Sequence, residues 1–174
     1  PLREYRGMPL RSLSLAFNSI IDIEPLGVLT SLETLYLEEN LIADLSVVEM
    51  LTNLQELRLT NNYVSDLTPL RNLAKLKVLL LNNNNISDIS PLENLSNLER
   101  LVLSNDFEAY EMRQLGPRSR WSGYQDNEIH PSENSIVDIS VLAGLTNLKV
   151  LNLDRNFVSD LSPLKGLTGL TNLS

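Results

Sequence analysis

The sequence predicts an α/β-type repeat solenoid: a curved right-handed horseshoe with a parallel concave β-sheet and short 3₁₀ or irregular segments on its convex back. Three observations lead there. Leucine recurs with a 22-residue period, the aliphatic register within the period never breaks, and an asparagine returns at one fixed place in every complete unit. Repeats start at Leu10, Leu32, Leu54, Leu76 and Leu98; the next start, Leu148, lies one repeat plus 28 residues further on, and Leu170 opens a truncated seventh unit. The expected organisation is therefore a solenoid over 10–174, an insertion over 106–133 within the fifth repeat, and residues 1–9 as the tail of a preceding irregular repeat. Such self-similarity outranks any local secondary-structure signal, because each repeat is one supersecondary unit that cannot bury its apolar face alone.

Within a unit the spacing is L-x-x-L-x-L-x-x-N-x-(I/V)-x-D-(I/L)-x-x-(L/V)-x-x-L. In the third unit the apolar positions are Leu54, Leu57, Leu59, Val64, Leu67, Leu70 and Leu73, and all six complete units keep all seven aliphatic. The L-x-L step, as at Leu57-Arg58-Leu59, is a short strand with two side chains inward and one outward. Strands are expected near 34–37, 56–59, 78–81, 100–103 and 150–153. The asparagines (Asn18, Asn40, Asn62, Asn84, Asn134 and Asn156) stand where the chain turns inward after the strand. There a side-chain amide can pair backbone groups of adjacent turns that would be costly to bury unpaired. On the return path, Thr68-Pro69, Ser90-Pro91 and Ser162-Pro163 read as a hydroxyl N-cap followed by proline at the first position of a short 3₁₀ turn.

Units such as NNNISDISPLENLSNLERLVL (83–103) and LNLDRNFVSDLSPLKGLTGL (151–170) resemble the repeats of the bacterial internalin-type leucine-rich-repeat family. The resemblance covers 10–174 apart from the insertion. It implies a recognition module whose concave face binds a protein, displayed on a bacterial surface or secreted. Related 22-residue repeats also serve as intracellular scaffolds, so the alternative is a targeting or regulatory segment of a larger signalling or enzymatic protein. No internalin-type N-terminal cap is visible at the start, PLREYRGMPL.

The variable strand positions define the candidate partner-binding face, because the leucines between them point inward. Val78, Leu80, Val102 and Val150 are apolar at positions that should be wet, and they fall on neighbouring strands beside Tyr36, Arg58, Glu56, Arg100 and Asn152. An apolar cluster rimmed by charge is the composition of a protein interface, although β-branched residues also simply suit strands. The insertion adds Trp121 and Tyr124 as candidate contacts. Its first part, Asp106 to Leu115, reads as an amphipathic helix capped by Asp106 and stopped by Gly116-Pro117. Long loops leaving a rigid scaffold are often binding elements; the competing reading is a solvated loop whose aromatics anchor it to the solenoid.

Charge and motif content narrow the function class. A net charge of −8 argues against binding nucleic-acid backbones or anionic membranes. No apolar run approaches the ~20 residues of a membrane span. There is no cysteine, hence no disulfide or thiolate metal site. A catalytic reading would need His130 with Ser132 or Ser135, but no nucleophile-elbow spacing surrounds them. The aspartate column (Asp22, Asp44, Asp66, Asp88, Asp138 and Asp160) could stack carboxylates for Ca²⁺. The stronger expectation is that each accepts local backbone N–H bonds at its turn. Asn85, Asn94 and Asn172 open N-x-S sequons that arise from the repeat consensus itself. The expectation is thus a non-catalytic module with no metal or cofactor and a protein partner of unknown identity.

Overall fold

The computed structural model describes residues 10–105 and 133–174. Seven short strands form one sheet in chain order: β1 (Ser12–Ser14), β2 (Thr34–Tyr36), β3 (Glu56–Arg58), β4 (Val78–Leu80), β5 (Arg100–Val102), β6 (Val150–Asn152) and β7 (Asn172–Leu173). Every neighbouring pair is parallel, and the register is that of the repeat, with Leu35 opposite Leu57, Leu57 opposite Leu79, and Leu101 opposite Leu151. Between strands the chain returns through short 3₁₀ turns at Glu24–Val28, Ser46–Met50, Thr68–Leu70, Ser90–Leu92, Ser140–Gly144 and Ser162–Gly166. This is a leucine-rich-repeat solenoid. It has no local alternative, because a three-residue strand cannot bury its apolar face alone and is held by the equivalent units stacked beside it.

The consensus aliphatic positions form one continuous core, with Leu35, Leu57, Leu79, Leu101 and Leu151 inaccessible to solvent. Burial fades at the ends. Leu13 and Leu15 in the first unit and Leu153 and Val158 in the sixth are only half-buried, and Leu161 is 62% exposed where its counterpart Leu67 is 1% exposed.

From Asn40 to Asn156 the asparagine column works as a ladder of three-way clamps. Asn62, wholly buried, donates through Nδ2 to the carbonyls of Leu37 (2.9 Å) and Leu59 (3.1 Å), while its Oδ1 accepts from the Ile42 amide (3.0 Å). Asn84 repeats this against Leu59, Leu81 and Val64. The residue before five of the six column asparagines turns the chain through the left-handed region: Phe17, Glu39, Asn61, Asn83 and Arg155 have φ of 58°, 56°, 59°, 54° and 60°. Asparagine tolerates this conformation better than most residues, which suits Asn61 and Asn83. A second ladder, not expected from the consensus, runs along the opposite corner. Asn53, Asn97 and Asn147 donate to the carbonyls of Thr30, Ala74 and Ser96 in the preceding units at 2.8–2.9 Å.

The caps of the 3₁₀ turns correct one expectation. Thr68, Ser90 and Ser162 are the first residues of their turns rather than hydroxyl caps. The capping acceptor is the aspartate two residues earlier: Asp66 Oδ1 accepts from the Thr68 amide, and Asp22, Asp44, Asp88, Asp138 and Asp160 do the same, each at 2.8 Å. A carboxylate reaching forward two residues is an Asx-turn, and it satisfies the N–H that opens the turn whatever residue follows. The first unit shows this directly, since its turn starts at Glu24 with no hydroxyl at all.

Candidate partner-binding face

Alternation along each strand sends the consensus leucine inward and its two neighbours outward, so the outer face of the sheet carries two rows of side chains about 4.8 Å apart from strand to strand. One row runs Ser14, Tyr36, Arg58, Leu80, Val102, Asn152; the other runs Ser12, Thr34, Glu56, Val78, Arg100, Val150, Asn172. The structure thus brings Tyr36, Arg58, Val78, Leu80, Arg100, Val102, Val150 and Asn152 onto one surface. Leu80 and Val102 are adjacent in register, and Val78 and Val150 flank Arg100. The four apolar side chains are half-buried and Arg100 is exposed. Trp121 and Tyr124, with the helix expected over Asp106 to Leu115, lie outside the described residues.

At β2 and β3 the face is polar and tightly linked. The Arg58 guanidinium lies over the Tyr36 ring, 4.3 Å from its centroid. Its Nε donates to Glu56 Oε1 at 2.6 Å, the Tyr36 hydroxyl donates to Glu56 Oε2 at 3.3 Å, and Glu38 Oε1 is 3.8 Å from an Arg58 nitrogen. Burial alone would lower the Arg58 pKa, but the hydrogen bond and charge of Glu56, with smaller contributions from Tyr36 and Glu38, raise it instead. Two carboxylates therefore share one cation. Glu38 Oε2 is shielded from solvent and has no hydrogen-bond partner. Sequence reasoning missed Glu38, although its place one residue past the L-x-L step was a signal that it borders the same face.

Charge is unevenly distributed along the sheet and its rims. Over the first three units Glu33, Glu38, Glu39 and Glu56 face only Arg11 and Arg58, whereas over the fourth to sixth Lys77, Arg100, Lys149 and Arg155 face only Glu99 and Asp154. Along one rim these charges pair across units, Arg11 with Glu33 and Lys149 with Glu99 at 2.6 Å, and the lysine holds the Glu99 carboxyl below its usual range. Asn152 is partly engaged at home, its Oδ1 accepting from the Asp154 amide at 2.8 Å.

The aspartate column lies away from this face. Hydrogen bonds from the side chain and then the backbone of Ser46 hold Asp44 below the ordinary carboxylate range, and Thr68 does the same for Asp66. For Asp138 and Asp160 the backbone bonds from Ser140 and Ser162 come first, with their hydroxyls second. Among the described residues no three acidic or histidine side chains stand together as a metal site would require.

The sequence model of the family described as leucine-rich repeats (two copies) matches residues 10–49, 30–72, 74–111 and 132–166, and the chain belongs to that family. Within it the chain is internalin-like. A solved internalin, InlF of Listeria monocytogenes, superposes with a TM-score of 0.62 at 35% identity over 95% of this chain and 47% of its own length. Internalin C2 of the same organism superposes with a TM-score of 0.54 at 28% identity over 99% of this chain and 83% of its own. The chain thus spans about half the length of the first of these relatives. No curated protein matches it in sequence.

Proposed function

We propose that the chain is a non-catalytic protein–protein recognition module that holds its partner on the concave sheet, with segment 106–133 as a side wall. The observation that carries this reading is the apolar strip of Val78, Leu80, Val102 and Val150, set at outward positions of three adjacent strands. A solenoid does not need apolar residues there, since its core is already filled by the leucines facing the other way. Apolar centres bordered by Arg and Tyr are what dominant contacts in interfaces are made of.

The test is position-specific. A photo-crosslinking residue at 80 or 102 should capture a protein partner, whereas the same residue at 65 or 87, exposed on the flank of the solenoid, should not. With that partner in hand, alanine at Tyr36, Arg58, Arg100, Trp121 and Tyr124 is measured one position at a time. At least one substitution should weaken binding by more than about 1 kcal/mol. Five near-neutral results together with loss of binding on convex-face substitution would move the site to the other side.

A further inference from the structure

The polar network over β2 and β3 is incomplete in a way that indicates what completes it. Arg58 is engaged by Glu56 and approached by Glu38, so two carboxylates surround one guanidinium, and one oxygen of Glu38 is left without a donor. A buried acceptor with no donor carries a desolvation cost that a positively charged donor would relieve. Oε2 is sealed as it stands, so a donor from outside meets it once the Glu38 carboxylate turns toward the face, and the neighbours on that side are small. Arg58 follows Tyr36 on one side in register, and on the other side stand Ser14 and, beside Glu38, Ala16, whose side chains are small. A second cation against that side of the ring would gain both charge pairing and a cation–π contact. Two strands further on, the surface changes to the apolar strip of β4 to β6.

We infer that the partner contributes an elongated segment lying across the strands, with a Lys or Arg side chain at the Tyr36–Glu38 end and apolar side chains over Leu80 and Val102. This rests on the concave-face reading and adds to it the chemistry and polarity of the bound segment. From β2 to β6 the separation is about 19 Å at the usual strand spacing, a length that a short helix or an extended peptide covers. The sign of the charge is the discriminating feature. An acidic end group would meet Glu38 and Glu56 with one guanidinium already engaged between them, and it would be repelled.

Three synthetic peptides test this, each with the same Leu/Val block and differing only in an end block of Lys/Arg, Ser or Glu, titrated calorimetrically into the intact chain. The basic peptide should bind tightest and lose its advantage as salt is raised, since the added attraction is partly exposed. Glu38→Gln should weaken the basic peptide about tenfold, the scale of one charged hydrogen bond, and leave the Ser peptide unchanged. The variant gives up the 3.8 Å pairing with Arg58, but Glu56 keeps its 2.6 Å bond to that guanidinium, so its melting should stay close to the parent's. Leu80→Ser and Val102→Ser should weaken all three. If they do so while Glu38→Gln has no effect, or the Glu peptide binds as well as the basic one, the charge assignment is overturned and the concave site stands. If neither apolar substitution matters to a peptide that binds, the concave reading itself falls. Absence of binding by every peptide overturns the inference.

Discussion

Asn62 shows how much of this fold rests on single side chains. Its amide joins Leu37, Leu59 and Ile42, three backbone positions in two successive units, all inside the protein. Asn62→Ala takes the acceptor from the buried Ile42 N–H, while the Leu37 and Leu59 carbonyls keep the amides of Asn40 and Asn84, so it should cost about 1–3 kcal/mol in urea denaturation. Asn85→Ala, at an exposed asparagine one unit along, should stay within about 0.5 kcal/mol. The aspartates give a pH signature. The folded pKa values of Asp44, Asp66, Asp138 and Asp160 lie below the unfolded value of about 3.9, so their contribution is present above that pH and is lost as pH falls through the folded values. The urea midpoint should therefore drop from about pH 4 downward, less steeply in Asp44→Asn. An equal slope in the two proteins would show that the Asx-turn bond is not linked to folding. The clamp role of the asparagines was legible in the sequence because their column has one spacing and one place in the turn. The second ladder of Asn53, Asn97 and Asn147 was not, since its column is interrupted by Ser31, Lys75 and Gly169.

At the level of the element, strands and core followed from the leucine spacing, whereas the turns followed only in outline. A column reading places a side chain inward or outward, but it does not say which of two neighbouring polar groups captures an N–H, and so the sequence points to Thr68 for the cap that Asp66 supplies. Packing has the same dependence on neighbours. Leu79→Ala, in a central unit and fully buried, should cost about 2–5 kcal/mol, while Ser87→Ala, exposed in the same unit, should fall within about 0.5 kcal/mol. A sharper comparison holds the repeat position constant. Leu67 and Leu161 occupy the same place in their units, yet one is 1% and the other 62% exposed. Leu67→Ala should cost several times what Leu161→Ala does. Equal denaturation midpoints would mean that core energy belongs to the unit itself and not to the contact between units.

For the whole molecule, the question is how one solenoid carries 28 additional residues without losing register. The backbone bonds on either side show no sign of interruption: β5 and β6 pair as every other neighbouring pair does, and Asn134 takes up the clamp position, joining Leu81, Leu103 and Ile86. Asn105 ties the two ends together, its Oδ1 accepting from the Asn134 amide and its Nδ2 donating to the Asn134 carbonyl, each at 2.8 Å. The same Nδ2 reaches Arg155 O in the next unit, also at 2.8 Å. Joining Asn105 directly to Asn134 would yield an ordinary 22-residue unit with the Asn-Asn pair already present at Asn61-Asn62 and Asn83-Asn84. Asn105 would have to take the left-handed conformation that Asn61 and Asn83 already hold, which asparagine tolerates. Deleting 106–133 should therefore give a chain that unfolds in one cooperative transition, with a urea midpoint near that of the parent. The same deletion should weaken capture of a partner through positions 80 and 102, because it removes Trp121 and Tyr124 while sparing the sheet. A deletion variant that fails to fold would make 106–133 part of the solenoid's own structure. One that folds and binds unchanged would leave the sheet as the whole recognition surface.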